Sequence, residues 1–236
     1  METKIIRSAL LGVCLATGGA AQAVADDAFG DRVREYILNN PEVIVEALTL
    51  LAEKERKAAV AAKIADFPGL FSGPPSLGIG HPEAPIRVVE FFDFKCVPCK
   101  AIHPQLEAFV ASSPEVRIEQ RHLPILTPGS ERAARFALAV QALAGDDAYT
   151  EAVDRIWAIT GPLNSASFER VAGAMGLDYA RIEPEMESDA ITARIDYNRD
   201  AAIELGILGT PAFLTPTSVT FGETNVSALG EIWLSR

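Results

Sequence analysis

Two cysteines separated by two residues, Cys96 and Cys99, offer the clearest reactive chemistry in this 236-residue sequence. They follow a run of β-branched and aromatic residues and precede a segment with helical periodicity, so Cys96 is expected at the first turn of a helix. The unpaired N–H groups and partial positive charge of a helix N-terminus stabilise a thiolate, which lowers the pKa of a cysteine placed there. Cys96 could then attack another sulfur at neutral pH, and Cys99 could release the product by attacking the mixed disulfide.

Metal binding and a purely structural disulfide are alternative uses of the same pair. A structural zinc site normally takes four Cys or His ligands, and the three histidines supply no second close-spaced pair: they are His81, His103 and His122. A disulfide that closes so small a ring removes little chain entropy and stabilises the fold little. Soft thiolates do bind Cu(I), so a copper-binding module that uses Cys96 and Cys99 is the alternative function. Its weakness is the scarcity of further soft ligands, because the chain has only three methionines.

The residues around the cysteines predict an α/β domain with a helical insertion. The predicted strands cover residues 86–92, 116–122, 212–215 and 218–221, and the predicted helices outside the insertion cover residues 97–111 and 226–234. Residues 130–205 have helical patterning throughout, with breaks at glycines. The order of strand, helix, strand, helical block, hairpin and helix therefore indicates one domain over residues 84–236.

The N-terminal residues predict an export signal. Lys4 and Arg7 precede an uncharged apolar run, and small-residue cleavage patterns follow it at residues 21–23 and 23–25. This order of basic, apolar and small residues is typical of a cleaved signal peptide, here residues 1–25. Cys14 would leave with the signal, so the exported protein would keep only the close-spaced cysteine pair.

Residues 26–66 predict a helical stalk, and residues 67–83, rich in proline and glycine, predict a linker between the stalk and the main domain. Asn40 and Pro41 suit the cap and the first position of a second helix within the stalk. That helix carries an apolar stripe of Ile44, Leu48 and Leu51. Such a stripe must be buried, either against its own domain or against copies of the chain.

The overall composition excludes one class of partner. Hydrophobic residues make up 49% and charged residues 22% of the chain, as in ordinary folded proteins. The formal net charge of −11 would repel a nucleic acid. We therefore expect no nucleic-acid partner.

Two motifs resemble one known family. Residues 89–100, Val-Glu-Phe-Phe-Asp-Phe-Lys-Cys-Val-Pro-Cys-Lys, resemble the active-site segment of the DsbA-like branch of the thioredoxin superfamily. Pro104 matches the proline that kinks the active-site helix in that superfamily. Residues 209–213, Gly-Thr-Pro-Ala-Phe, resemble its second signature, a threonine followed by a cis-proline that faces the cysteines. The resemblance covers residues 84–236 and includes a helical insertion at about 130–205.

The resemblance implies a thioredoxin fold with an inserted helical subdomain, and it implies roles for individual residues. Cys96 would be the nucleophile and Cys99 the resolving thiol. Glu90 matches an acidic residue beneath the pair, where burial would raise its pKa and let it accept the proton of Cys99. Thr210 and Pro211 would lie against the Cys96 sulfur and offer backbone hydrogen bonds to a substrate strand. The residues themselves leave two alternatives open: strand alternation could turn Glu90 towards water, and the Thr-Pro sequence could be an ordinary turn.

The two residues between the cysteines depart from the strongly oxidising members of the family. Those members typically carry Pro-His there, whereas this chain has Val97 and Pro98. The missing imidazole removes one source of thiolate stabilisation and predicts a milder oxidant. His103, one helical turn after Cys99, could compensate, or it could simply pack.

Residues 32–44 resemble the oligomerisation stalk of DsbA-like proteins related to suppressor of copper sensitivity protein C. Some relatives with such a stalk are trimeric isomerases rather than oxidases. The resemblance implies a periplasmic thiol–disulfide interchange protein that forms a dimer or trimer through its N-terminal helices. Its partners would be unfolded or misfolded exported proteins and a membrane redox partner that resets the pair. No cofactor is required, because the dithiol itself carries two electrons.

Overall fold

The computed structural model of the protein describes residues 18–222 and 224–235, and side chains from residue 28 onward within those ranges. Most of the predicted signal peptide, residues 1–25, and with it Cys14, therefore lies outside the described residues. The chain divides into two units, residues 1–54 and residues 55–236. None of the described helices is both long and apolar enough to cross a membrane.

The first unit is helical. It contains α1 (Gly18–Asn39) and the first half of α2 (Glu42–Ala65). The Asn40 side chain donates to the backbone oxygen of Tyr36 at 2.9 Å, which satisfies a carbonyl at the end of α1. Pro41 and Glu42 then suit the start of α2, because proline lacks an N–H and a carboxylate complements the helix dipole. Both helices leave apolar side chains exposed; on α1 these include Phe29, Val33 and Tyr36, and on α2 Ile44, Leu48 and Leu51.

The second unit is a five-stranded sheet surrounded by helices, which confirms the predicted α/β class. Its strands are β1 (Gly78–Ile79), β2 (Ile86–Phe92), β3 (Val116–His122), β4 (Ala212–Thr215) and β5 (Ser218–Phe221). Its helices are the second half of α2, α3 (Val97–Ser112), α4 (Pro128–Ala144), α5 (Asp146–Ala158), α6 (Ser165–Ala174), α7 (Tyr179–Glu185), α8 (Asp189–Glu204) and α9 (Val226–Leu234). The strand order is β1-β3-β2-β4-β5, with β2 and β3 parallel and the other pairs antiparallel. Helices α4 to α8 form the predicted insertion.

Both faces of the sheet are covered, so β2 is buried on two sides. On one face, Val88 of β2 packs with Ile102 and other residues of α3 and α9. On the other face, Val89 of β2 packs with Ile64 near the end of α2 and with residues of α8. A third cluster fills the helical insertion and reaches Cys96 and Cys99. The cysteine pair therefore lies where the sheet meets the insertion.

The segment at residues 67–83 differs from the predicted linker, because it is packed against the sheet. Leu70 and Leu77 are buried, and β1 within this segment pairs with β3. The side chain of Arg121 donates to the backbone oxygens of Leu70 and Ser72, each at 2.7 Å. A segment with few large side chains is thus fixed through its main-chain carbonyl groups.

Strand β3 is correctly predicted by its alternating pattern, yet all seven of its residues are buried. Residues at alternating positions of a strand point to opposite faces. The polar face that would meet water in a two-layer domain is covered here by residues 67–83. On that face Glu119 is fully buried and binds Arg87 and Arg117, each at 2.6 Å. The arginines in turn bind backbone oxygens of the covering segment.

Candidate active site

Cys96 is the N-cap residue of α3, and it forms a disulfide with Cys99 across the first helical turn. The two Cα atoms are 5.2 Å apart, and the backbone N–H of Cys99 donates to the Cys96 sulfur at 3.1 Å. Both cysteines are nearly inaccessible, whereas Val97 between them is 77% exposed. The structure therefore places Cys96 at the helix N-terminus, as the sequence predicts, with an N–H group aimed at its sulfur.

Asp93 holds the loop that leads into α3. Its buried carboxylate accepts a hydrogen bond from the backbone N–H of Lys95 at 2.7 Å. The other carboxylate oxygen accepts from the N–H groups of Ile125 and Leu126 at 2.9 and 3.0 Å. Sequence reasoning missed this residue, although an aspartate in an otherwise aromatic run just before a helix is a typical signal for such a turn.

The Thr210–Pro211 peptide bond is cis. The backbone oxygen of Thr210 lies 3.3 Å from the Cys96 sulfur, so Thr210 contacts the cysteine pair through its main chain. In the disulfide this is a contact between a sulfur and an oxygen. In the reduced protein the Cys96 thiol can donate its hydrogen to the same carbonyl.

A groove of about 460 Å³ runs beside the disulfide. Its lining residues are Val97, Pro98, Ala101, Ile102 and Gln105 of α3 with Thr210, Pro211, Gly222 and Thr224. Among the described residues, none that lines the groove is charged. An apolar groove next to a redox-active sulfur can hold a polypeptide segment by shape and backbone contacts rather than by charge.

Glu90 is fully buried in β2, which excludes the water-facing alternative. In the sheet it lies opposite Gln120 of β3 and Phe213 of β4. Its neighbours on the same face are Val88 and Phe92, which pack with α3 and with the cysteine pair respectively. Burial raises the pKa of Glu90 to about 7, and a hydrogen bond from Gln120 acts in the opposite direction.

An aromatic cluster lies behind the disulfide and includes a histidine that sequence reasoning considered only as a zinc ligand. The ring of His122 packs 4.7 Å from Phe92 and 5.4 Å from Phe94, measured between centroids. Its Nε2 atom lies 2.9 Å from the Tyr149 hydroxyl. Burial lowers the pKa of His122 to about 3, so the ring is neutral at physiological pH.

His103 has the contacts of a packed residue rather than of a thiolate partner. Its Nε2 atom is 3.7 Å from the Glu107 carboxylate, and its ring centroid is 5.9 Å from that of Trp157. Burial lowers its pKa, although the nearby carboxylates of Glu107 and Asp154 act against this. Within the described parts of the chain, no three His, Cys, Asp or Glu side chains are grouped to hold a metal ion.

Two protein families match this chain. Residues 87–232 match the DSBA-like thioredoxin domain, and residues 27–58 match the N-terminal domain of the copper resistance protein ScsC. The first match includes both cysteines, Glu90 and the cis-proline. The second covers residues 27–39 of α1 and residues 42–58 of α2.

Solved structures have the same architecture. A thioredoxin-like oxidoreductase from Silicibacter pomeroyi is 31% identical, with a TM-score of 0.59 over 68% of this chain and 95% of that one. A Proteus mirabilis ScsC variant with a linker deletion and one substitution is 24% identical, with a TM-score of 0.63 over 92% of this chain and 95% of that one. The latter likeness extends over the N-terminal helices and concerns the fold alone.

A curated relative is much longer than this chain. The Na(+)/H(+) antiporter NhaA 3 of Salinispora tropica is 32% identical over 156 residues, which are 66% of this chain and 24% of the antiporter. The chain thus spans about a quarter of that relative's length.

Proposed function

We propose, since this chain belongs to the family of DSBA-like thioredoxin domains, that it catalyses thiol–disulfide interchange on exported proteins as an oxidase or isomerase. Family membership confirms the predicted thioredoxin fold with its helical insertion and the predicted enzyme class, thiol–disulfide oxidoreductase. The observation that carries the proposal is the Cys96–Cys99 disulfide at the start of α3, against the carbonyl of Thr210.

The pair can pass a disulfide to a client in two exchanges. A client thiolate attacks the Cys96 sulfur, so a bond forms between these two sulfurs and Cys99 leaves as a thiolate that takes up a proton. A second client thiolate then attacks the client sulfur of the mixed disulfide, and Cys96 leaves as a thiolate. The client has lost two electrons and the protein has gained them. In the reverse direction Cys96 attacks a client disulfide, and Cys99 resolves the mixed disulfide.

Glu90 is the proposed proton acceptor and donor for Cys99. Burial holds its pKa near 7, so at neutral pH the carboxyl can both take and return a proton. Its place on the sheet face covered by α3 supports this role. Thr210 and Pro211 are the proposed client-contacting residues, because their backbone lies beside the sulfur that the client attacks.

The proposed clients are unfolded or misfolded exported proteins, and the proposed compartment is the periplasm. The signal-peptide pattern of residues 1–25 and the disulfide between Cys96 and Cys99 support this location. A client segment must be extended to lie in the apolar groove beside the disulfide, and unfolded chains offer such segments. A membrane redox partner would return the pair to its working oxidation state.

The first unit is proposed to join copies of this chain into a dimer or trimer. Six apolar side chains on α1 and α2 are 40–60% exposed, and they fall into stripes with helical spacing: Phe29, Val33, Tyr36, Ile44, Leu48 and Leu51. Burying such stripes against identical helices is the usual way in which amphipathic helices associate. The match of residues 27–58 to the ScsC N-terminal domain adds support.

The function is tested by single cysteine variants of the mature protein. Cys96→Ser should lose at least about 100-fold in reshuffling of a scrambled disulfide protein, because the attacking sulfur is gone. Cys99→Ser should instead accumulate a mixed disulfide with the client, since nothing resolves it. Activity retained by folded Cys96→Ser would contradict the proposal, and Cu(I) binding by the same pair would then be the next function to measure.

The direction of electron flow is read from the reduction potential of the pair, measured by equilibration with glutathione. A value of about −120 mV favours a disulfide donor, and a value of about −180 to −230 mV favours an isomerase or reductase. Since Val97 and Pro98 replace the typical Pro-His, we expect the second range.

A further inference from the structure

The Glu90 carboxylate is buried, and no cation of the described part of the chain forms an ion pair with it. Among the residues that the structure describes, its hydrogen-bond partner is the side-chain amide of Gln120, whose Nε2 donates to Glu90 Oε2 at 2.9 Å. The two residues lie directly opposite each other in the parallel pairing of β2 with β3. Both are buried, with exposed fractions of 1% and 6%.

The other groups around Glu90 described next are uncharged, so they do not stabilise its carboxylate through charge. On β3, His122 is neutral because burial lowers its pKa to about 3. On α5, burial raises the pKa of Tyr149 above its usual range, so its hydroxyl stays protonated. Strand β4 contributes Phe213, directly opposite Glu90, and α3 contributes apolar residues that pack with Val88 on the same face.

The charged residues of β3 are turned away from Glu90. Arg117, Glu119 and Arg121 occupy the alternate positions of the strand and bind one another and residues 67–83. A fixed cation next to Glu90 would hold the carboxylate ionised and make it a poor proton acceptor. A neutral amide orients the same carboxylate and lowers its pKa less than a cation would.

We infer that Gln120 is a positioning residue that holds the Glu90 carboxylate ready, on the α3 side of the sheet, to take the proton of Cys99. The inference rests on the proposed function. In the resolving step the Cys99 thiol gives its proton to the Glu90 carboxylate, and the resulting Cys99 thiolate attacks the Cys96 sulfur of the mixed disulfide. The Cys96–Cys99 bond forms, the bond to the client breaks, and the client leaves as a thiolate that takes a proton from water. Glu90 then returns its own proton to water.

The test compares Gln120→Met, which keeps the length of the side chain, and Gln120→Asn, which keeps the amide but shortens it. In the oxidised full-length protein, the ionisation midpoint of Glu90 is followed by carbon NMR of its carboxyl group. Both variants should raise this midpoint by at least about half a pH unit, since a hydrogen bond to the charged form is lost. Gln141→Met, the same change at a partly buried amide that binds Ser76, Asp146 and Arg194, should leave the midpoint unchanged.

The kinetic readout is the pH dependence of the resolving step, measured in a single turnover of the reduced protein with a synthetic disulfide-bonded peptide. Its midpoint should move with the NMR midpoint in the Gln120 variants. In a Glu90→Gln background, Gln120→Met should cause no further change. An unchanged NMR midpoint in either folded Gln120 variant, or an equal shift in Gln141→Met, overturns the inference. A shifted NMR midpoint with an unmoved rate profile instead overturns the proton-acceptor role of Glu90 in the proposed function.

Discussion

At the scale of one residue, Glu90 is a buried ionisable group that lowers the stability of the folded protein when it is charged. Its side chain is almost completely buried, and the Gln120 amide donates the one hydrogen bond that the carboxyl group receives among the described residues. Ionising the carboxyl group is therefore less favourable in the folded protein than in the unfolded chain, where water solvates it. The predicted consequence is a stability that depends on pH.

We expect Glu90→Gln to stabilise the oxidised protein at about pH 8 and to have little effect at about pH 4. The pKa is about 7 in the folded protein against 4.5 for an ordinary glutamate. Below both values the carboxyl is protonated in the folded and in the unfolded state, so its burial carries no penalty for a charge. As the pH rises from 4.5 to 7, the unfolded state ionises while the folded state stays largely protonated, and stability falls. The shift corresponds to up to about 3 kcal/mol.

Urea unfolding at the two pH values measures this difference. Glu231→Gln, at an exposed position of α9, is the control and should change stability equally little at both. A Glu90→Gln variant that is no more stable than the parent at the higher pH would show that the carboxylate finds compensation in the folded state.

At this scale, the sequence predicts the residues whose roles depend on their neighbours in the chain. Cys96 and Cys99 lie three positions apart, and the strand-to-helix boundary that activates them can be read from the adjoining residues. Asp93 was missed although its place just before a helix is a local turn signal. Gln120 was missed because its partner Glu90 is 30 residues away in the chain. No local sequence pattern predicts the contact between Gln120 and Glu90.

At the scale of elements, the segment 67–83 depends on side chains that come from the sheet. Arg121 contributes most directly, with hydrogen bonds to backbone oxygens at Gly69, Leu70 and Ser72. Its pKa is lowered by burial to about 10, so it remains charged at physiological pH. The composition of the segment predicts a linker because glycine and proline are abundant in it, and the arginines that fix it lie outside it, in β2 and β3.

We expect Arg121→Met to lower the free energy of unfolding by about 3–5 kcal/mol, because it leaves buried carbonyl oxygens unpaired and removes a cation near Glu119. Urea unfolding measures the loss, and limited proteolysis should show earlier cleavage within residues 67–83. Arg170→Met, at an exposed position of α6, is the matched control and should change stability by less than about 0.5 kcal/mol. Equal effects of the two substitutions would contradict the anchoring role of Arg121.

At the scale of the whole molecule, the exposed stripes of the first unit predict the number of chains in solution. The protein without residues 1–25 should be a dimer or trimer by light scattering. Leu48→Glu places a charge within the α2 stripe and should produce monomers, because a carboxylate in an apolar interface is costly to desolvate. Each monomer keeps its own cysteine pair, so reduction of a small disulfide substrate should continue at the parental rate.

Thr49→Glu is the matched control, since residue 49 lies on the opposite side of α2 from the stripe of Ile44, Leu48 and Leu51. It should leave the number of chains unchanged. A parental protein that is already monomeric at micromolar concentration, or a Leu48→Glu variant with the parental mass, would contradict the proposed association.

The two-residue strand β1 has a consequence for where the catalytic unit can be cut. Gly78 and Ile79 pair with Glu119 and Ile118, and β3 is the strand that would otherwise end the sheet. A strand with free N–H and C=O groups along one side is a template for pairing with another chain, and proteins guard such borders to remain soluble. A fragment that began at residue 84, where the composition changes, would lack β1. The edge of β3 would then be unpaired, and the fragment would be prone to aggregate through that edge. The short strand, with the proline- and glycine-rich segment that carries it, therefore serves as a guard against self-association through the sheet.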